Sequence, residues 1–294
     1  MQTWYLYSLL ALLLLGGQRF LYKVAAAKNC GTFLTTFCFM ITVAVLSSGL
    51  LVLFPPIVPS LTFLALISLA NSLTFVSATL AHIQALKHMP ATVAYPLIRM
   101  NIVLVILFAV VFLQERLEPL QILGVALSLA TIWVLGRDSA PDSNARTKTK
   151  GLFLVLLAML AGALSAISSR YAAQHTDLLA FIALSYVFST LFTLALAPRM
   201  FTPDQAHTVP HTAPRGSRKL AAGIGLAMGL LNLAGFYLFL KALALGPLAI
   251  VASINGMHFL VAVVLSVLIF REKLNPSRLL GLALAIVAIV LLRG

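Results

Sequence analysis

Eight side chains could do chemistry because they stand where hydrocarbon is expected. Arg99, Tyr95, His258, Asn255, His82, Asn71, Tyr237 and Lys241 all fall within long apolar runs. A polar group inside a bilayer is costly, so each needs a partner or a purpose. Arg99 lies nine residues into its run, roughly 13 Å along a helix rising 1.5 Å per residue. Tyr95 is one turn earlier on the same face, and Pro96 predicts a kink beside it. A guanidinium at that depth suits a carboxylate or phosphate, which it can grip with two parallel hydrogen bonds. The same group could instead tie two helices together through carbonyls or snorkel to headgroups. Lys241 follows Tyr237 by one turn near the end of its run, from where snorkelling is easy. His258, with Asn255 and Gly256, makes a polar patch where a helix could break. Its alternative is a packed imidazole bonded to a neighbouring helix. His82, Asn71 and Thr74 give another run a polar face, and Asn232 does so for a fourth. Gln18 and Arg19 follow Gly16-Gly17, and Arg19 suits either a cavity or a topology anchor.

What is missing narrows the chemistry further. All seven acidic residues lie at helix ends or in loops, and none falls in the interior of an apolar run. Proton-driven export of cationic drugs of the usual kind uses a buried carboxylate, so a small anionic or zwitterionic substrate is expected. Coupling would come from exchange, from downhill flow, or from His258 or His82 as proton carriers. No catalytic residue is expected. There is no His-Glu-x-x-His and no intramembrane Asp-rich motif, and Ser168-Ser169 stands on a run distant from His258. Cys30 and Cys38 have no metal-ligand spacing and read as small packing residues. His207 and His211 are four apart, but Pro210 between them argues against a helical pair. Neither a metal nor a cofactor is therefore expected.

The elements that must position these groups are membrane helices. Of 294 residues, 61% are hydrophobic and only 9% charged, with mean hydropathy +1.05. A soluble domain of this length would be about a quarter charged. Runs of about 20 apolar residues recur from end to end, each long enough for a hydrocarbon core of about 30 Å. The alternation that a membrane β-barrel requires is absent. Ten spans are predicted, at about 4–26, 32–54, 60–86, 90–113, 119–136, 151–173, 177–198, 219–244, 247–270 and 276–293. No cleavable leader is expected ahead of the first. The net charge of +13 would suggest nucleic acid in a soluble chain. Here it sits in loops and helix ends and sets topology, so no nucleic-acid partner is expected.

The sequence also repeats itself. With an offset of 157 residues and no gaps, Pro90 aligns with Pro247, Met100 with Met257, Glu115 with Glu272, Leu117 with Leu274, Pro119 with Pro276, and Gly124 with Gly281. Shared hydrophobicity cannot place Glu, Pro and Gly in register, so the chain is an internal duplication. The expected units are residues 1–136 and 151–294, five spans each, joined by a polar linker over 137–150. Duplicating an odd number of spans forces the second unit to insert upside down. The fold class is thus an all-α membrane protein of ten transmembrane helices in two inverted five-helix repeats. Pro90, Pro96, Pro247 and Gly256 are the expected hinges.

The duplicated block resembles the EamA-type repeat of the drug/metabolite transporter superfamily. The resemblance rests on the Pro opening the fourth and ninth spans, Glu115-x-Leu117 and Glu272-x-Leu274 at their ends, then Pro119/Pro276 and Gly124/Gly281. It implies a monomeric ten-helix bundle in the bacterial inner membrane, with a central cavity and alternating access by rocking of the two repeats. The cavity is expected between the third, fourth, eighth and ninth spans, closed by the first and sixth. The implied cargo is a small metabolite such as an amino acid or organic acid. A flippase for a lipid or lipid-linked substrate is the alternative on the same fold.

Fifteen of the twenty basic residues fall on one side of the ten-span topology, which the positive-inside rule makes cytoplasmic. Both termini then face outward, whereas ten-span proteins of the resembled type usually have cytoplasmic termini. Alkaline phosphatase fused after Gly294 should be active; a silent phosphatase with a fluorescent counterpart reverses the orientation.

Overall fold

The computed structural model describes residues 2–85, 97–136, 149–200, 217–271 and 276–293. Helices are α1 (Thr3–Ala27), α2 (Thr32–Leu53), α3 (Leu61–Ala85), α4 (Asn101–Val111), α5 (Pro119–Gly136), α6 (Thr149–His175), α7 (Leu178–Met200), α8 (Arg218–Leu245), α9 (Leu248–Gly256), α10 (Phe259–Phe270) and α11 (Pro276–Leu291). No strand occurs among the described residues. Seven spans are long and apolar enough to cross a membrane, with α9 and α10 counted as one, Leu248–Phe270. Three shorter apolar helices, Leu97–Val111, Pro119–Val134 and Leu279–Leu291, bring the spans to ten. Pro90, Tyr95, Pro96, His207, His211 and Glu272 lie outside the described residues, as does most of the 137–150 linker.

Helix starts follow the local sequence. Ser60, Asp177 and Ser217 accept from Phe63 N–H at 3.2 Å, Ala180 N–H at 2.9 Å and Leu220 N–H at 3.2 Å. Each satisfies one of the amides that a helix N-terminus leaves without a partner. Within the spans, hydroxyls bond back to carbonyls one turn earlier. Ser47 to Val43 and Thr42 to Cys38 are both 2.6 Å. A Ser or Thr can therefore sit at membrane depth at little cost.

The halves interlock. The most extensive interfaces join an element of one half to an element of the other: α1 with α8, α3 with α6, α5 with α11, and α2 with α7 and α8. The α1–α8 and α3–α6 pairs are repeat mates, as a two-fold relation between the halves requires. Small residues permit this closeness. A Cβ on Gly225 would fall 2.7 Å from both Cys38 Cβ and Thr35 O, and one on Gly229 2.6 Å from Thr42 Cβ. So α8 lies nearly backbone to backbone against α2, with Cys38 serving as a small packing residue. Gly124, matched in both repeats, presses α5 onto α11 in the same way, with a Cβ there 3.0 Å from Leu292 N.

The turn after each fourth element is also duplicated. Gln114 and Arg271 occupy the same repeat position and have φ of 53° and 52°, left-handed values that non-glycine residues seldom adopt. After Gln114 the chain folds back, with Glu115 N–H reaching Ala109 O at 3.1 Å. This aims the Glu115 carboxylate at the start of α9. It accepts from Leu248 N–H at 2.6 Å and Ala249 N–H at 3.0 Å, where the helix dipole favours a negative charge. Arg170 of α6 lies 3.8 Å from the same carboxylate and donates to Gly246 O at 2.7 Å. The duplicated turn of the first repeat is thus a clasp on the second. Its side chains are only 12% and 10% exposed for Arg170 and Glu115.

Removing the carboxylate leaves two helix amides uncapped and a nearly buried guanidinium unpaired. Glu115→Ala should cost about 2 kcal/mol or more, read as a lower Tm in detergent. Glu118→Ala, at an exposed position on the same turn, should leave Tm unchanged.

Candidate functional site

Two spans are interrupted at the same place. The fourth turns at Met100, before α4, and the ninth at Met257 and His258, between α9 and α10. Met100 and Met257 are repeat equivalents. At both points the ladder tightens to bonds three residues back: Met100 N–H to Leu97 O at 3.1 Å, and Met257 N–H to Ile254 O and His258 N–H to Asn255 O, each at 3.1 Å. The segments touch through Gly256, where a Cβ would collide with Ile102. A glycine therefore lets α9 approach α4 at the breaks. Gly16 has the same function for α1, because a Cβ there would fall 2.5 Å from His258 O.

Beside the break of the ninth span lies a cavity of roughly 270 Å³. Its walls come from α1 (Gln18, Arg19, Tyr22), α2 (Phe39), α3 (Asn71, Phe75), α6 (Ser165, Ser169), α7 (Ser185, Tyr186, Ser189), α8 (Asn232, Phe236, Phe239) and the α9–α10 break (Asn255, His258). The first and sixth spans thus supply wall, where the sequence suggests a closing role. The fourth supplies no lining residue among those described, and Asn101 backs Gly162 from behind. The cause is the interlocking of halves: pairing α1 with α8 and α3 with α6 puts α1 and α6 at the centre. The Glu115–Arg170 clasp lies toward one end of the bundle. Arg19, exposed and 5.9 Å from the Tyr22 ring centroid, stands at the rim.

Two hydrogen-bond chains stiffen the walls. Tyr186 Oη donates to Asn232 Oδ1 at 2.5 Å, and Asn232 Nδ2 donates to Gln18 Oε1 at 3.3 Å, linking α7, α8 and α1. Asn71 Nδ2 reaches Ser168 Oγ at 2.8 Å, Ser165 O at 2.9 Å and Ser169 Oγ at 3.0 Å, fastening α3 to α6. With Ser165 Oγ at 3.4 Å, two N–H protons serve four acceptors, so the serines share them. Ser169 Oγ in turn donates to Ser165 O at 2.8 Å. Its proton is committed to a helix carbonyl.

Of the eight side chains singled out from the sequence, Asn71, Asn255 and His258 line this cavity. His258 is 7% exposed, and its Nδ1 bonds to Asn255 O at 2.6 Å. Arg99 and His82 are half-buried and outside the lining. Lys241 lies over two rings, 5.0 Å from the centroid of Tyr237 and 5.7 Å from that of Tyr7. Such cation–π contacts hold an ammonium without a carboxylate. Tyr237 is thereby engaged as well. Of the expected hinges, Pro247 precedes α9 with φ −67° and ψ 133°, and Gly256 ends it. Tyr22, Tyr186, Ser165 and the serines of α7 emerge only here. Ser169, on a run that the sequence sets apart from His258, lines the same cavity as that histidine because α6 packs at the centre. The cluster Ser165-x-x-Ser168-Ser169 was the available signal for a polar face on α6. No group of three His, Cys, Asp or Glu that could hold a metal gathers among the described residues.

Comparison with known proteins bears on the whole chain. The model of the EamA-like transporter family matches residues 2–137 and again 149–294. No curated protein matches the sequence. Among solved structures, one crystal structure superposes with a TM-score of 0.72 at 17% identity, over 98% of this chain and 95% of its own. That likeness speaks for the fold.

If the cavity is the binding site, filling it should stop binding while sparing the fold. Ala166, a half-buried lining residue, is the place to do so. Ala166→Trp should elute as the wild type does on size exclusion yet lose transport; retained transport moves the site elsewhere.

Proposed function

From the premise that the chain belongs to the EamA-like transporter family, we propose that it carries a small anionic or zwitterionic metabolite, of the amino acid or organic acid class, by alternating access. It is a multi-pass membrane protein, and the cargo would occupy the cavity beside the broken ninth span. The observation that carries the reading is the charge of that cavity. Among the described lining residues Arg19 is the one charged side chain, and none is a carboxylate. A guanidinium in a partly water-excluded cleft binds a carboxylate by charge-assisted hydrogen bonds. Tyr22, Gln18 and Asn232 supply neutral polar contacts, and Phe39, Phe75, Phe236 and Phe239 offer apolar surface for the cargo's body. Arg99 adds positive potential at the break and remains a candidate contact, with Tyr95, His82, Tyr237 and Lys241 behind it.

The interlocked interfaces bear on the motion. Separating the halves as rigid bodies would tear α1 from α8 and α3 from α6. We therefore read the moving parts as segments that meet at the two breaks, with Gly256 and Pro247 as pivots beside Pro90 and Pro96. Discontinuous helices at the centre of a bundle are where carriers commonly hold their cargo. The Glu115–Arg170 clasp would close one entrance in the state described.

Counterflow in proteoliposomes tests the reading. Saturable accumulation of labelled amino or organic acids is expected, with Arg19→Ala reducing it at least tenfold, the scale of a lost charged hydrogen bond. Saturable uptake of organic cations alone overturns the anionic reading. Movement of a lipid-linked substrate without any soluble cargo supports a flippase instead.

A further inference from the structure

The break in the ninth span presents an unused acceptor to the cavity. His258 is 93% buried by its 7% exposure, lines the cavity, and has no hydrogen-bond partner at Nε2. The other ring nitrogen fixes what Nε2 can do. Nδ1 lies 2.6 Å from Asn255 O, a carbonyl, which only accepts. Nδ1 therefore carries the proton, and in the neutral ring Nε2 is a lone pair. The adjoining Asn255 Oδ1 is likewise buried without a partner on a residue that lines the same cavity. Buried polar atoms without partners are few in folded proteins, and each asks for an explanation. Ser185 Oγ, on the α7 wall, is a third lining atom buried without a partner, while other wall groups are committed. The amide and hydroxyls of Asn232 and Tyr186 are tied to each other and to Gln18, and Asn71 is tied to the α6 serines.

We propose that His258 Nε2 and Asn255 Oδ1 form an acceptor subsite that selects cargo carrying an N–H or O–H donor near its anionic group. The proposal rests on the anionic or zwitterionic reading above and adds a requirement to it. Arg19 would take the anion at the rim, and the acceptor pair would take an ammonium or hydroxyl at the break. The specificity logic is asymmetric. A site with a buried acceptor loses little by omitting an extra methylene but much by meeting a cargo that leaves the acceptor unpaired. The subsite also belongs to the moving part of the molecule. A donor bridging His258 and Asn255 would cross-link the turn between α9 and α10, where the ladder is already tightened.

Binding to the purified wild-type protein, measured by thermal shift and calorimetry, tests this with three acids of one carbon skeleton. They are a 2-amino acid, the corresponding 2-hydroxy acid and the unsubstituted acid. The unsubstituted acid should bind at least tenfold more weakly than one of the other two. Preference for the amino acid identifies an ammonium donor, and preference for the hydroxy acid a hydroxyl. His258→Gln, which keeps an acceptor, should retain much of the discrimination, and His258→Leu should abolish it, so that the substituted acids bind no more tightly than the unsubstituted one. Equal binding of all three acids to the wild type overturns the subsite and leaves the anionic reading standing. Binding of none of them, with an organic cation bound instead, overturns both.

Discussion

Every peptide group placed in hydrocarbon must find its partner inside the protein. An unbroken helix meets that demand by itself, and so most of this chain is unbroken helix. The demand becomes a design rule where a span is interrupted. The fourth and ninth spans are interrupted at Met100 and at Met257–His258; the second interruption is buried against α1 and α4, while Met100 itself is exposed. Bonds three residues back absorb part of the loss. Gly16 and Gly256 bring neighbouring helices close enough to exclude lipid from the rest. The cavity lies there because this is the one kind of place where irregular backbone can be tolerated at depth.

The same constraint explains the Glu115 clasp. A helix that starts near the membrane boundary and is packed on all sides cannot leave its first amides to water. Leu248 and Ala249 receive a carboxylate from the other repeat instead. A carboxylate is costly to bury alone, and Arg170 offsets the charge while its other amino group satisfies Gly246 O. The left-handed Gln114 is the conformational cost of bringing the side chain there. The result couples α4, α6, α8 and α9 at one end of the bundle through four polar contacts.

Polar side chains at depth divide into two kinds. Asn71, Tyr186, Asn232 and Gln18 spend their hydrogen bonds on one another and on helix carbonyls, so they hold walls in place. Lys241 is held between Tyr7 and Tyr237. At the break, His258 and Asn255 keep capacity to spare, and at the rim Arg19 is exposed. The contrast is one of rigid frame against available chemistry, and it follows from which groups found partners during packing.

Hydrophobic run lengths announced ten membrane helices, because crossing a bilayer imposes a minimum apolar length. Glu, Pro and Gly in register announced the duplication, since composition cannot align them. The break at Gly256 and His258 was legible too, as a polar patch beside a glycine. The identity of the lining was less so. A helix has lipid-facing and interior-facing sides, but all ten spans are apolar nearly all round, so periodicity does not say which side faces inward. Only packing decided that α1 and α6 stand at the centre, that Arg19 reaches the cavity rim while Lys241 is held by aromatic rings, and that Glu115 serves the opposite repeat. Most of those outcomes depend on contacts between distant parts of the chain, such as Lys241 with Tyr7 and Glu115 with Leu248, which no local spacing encodes.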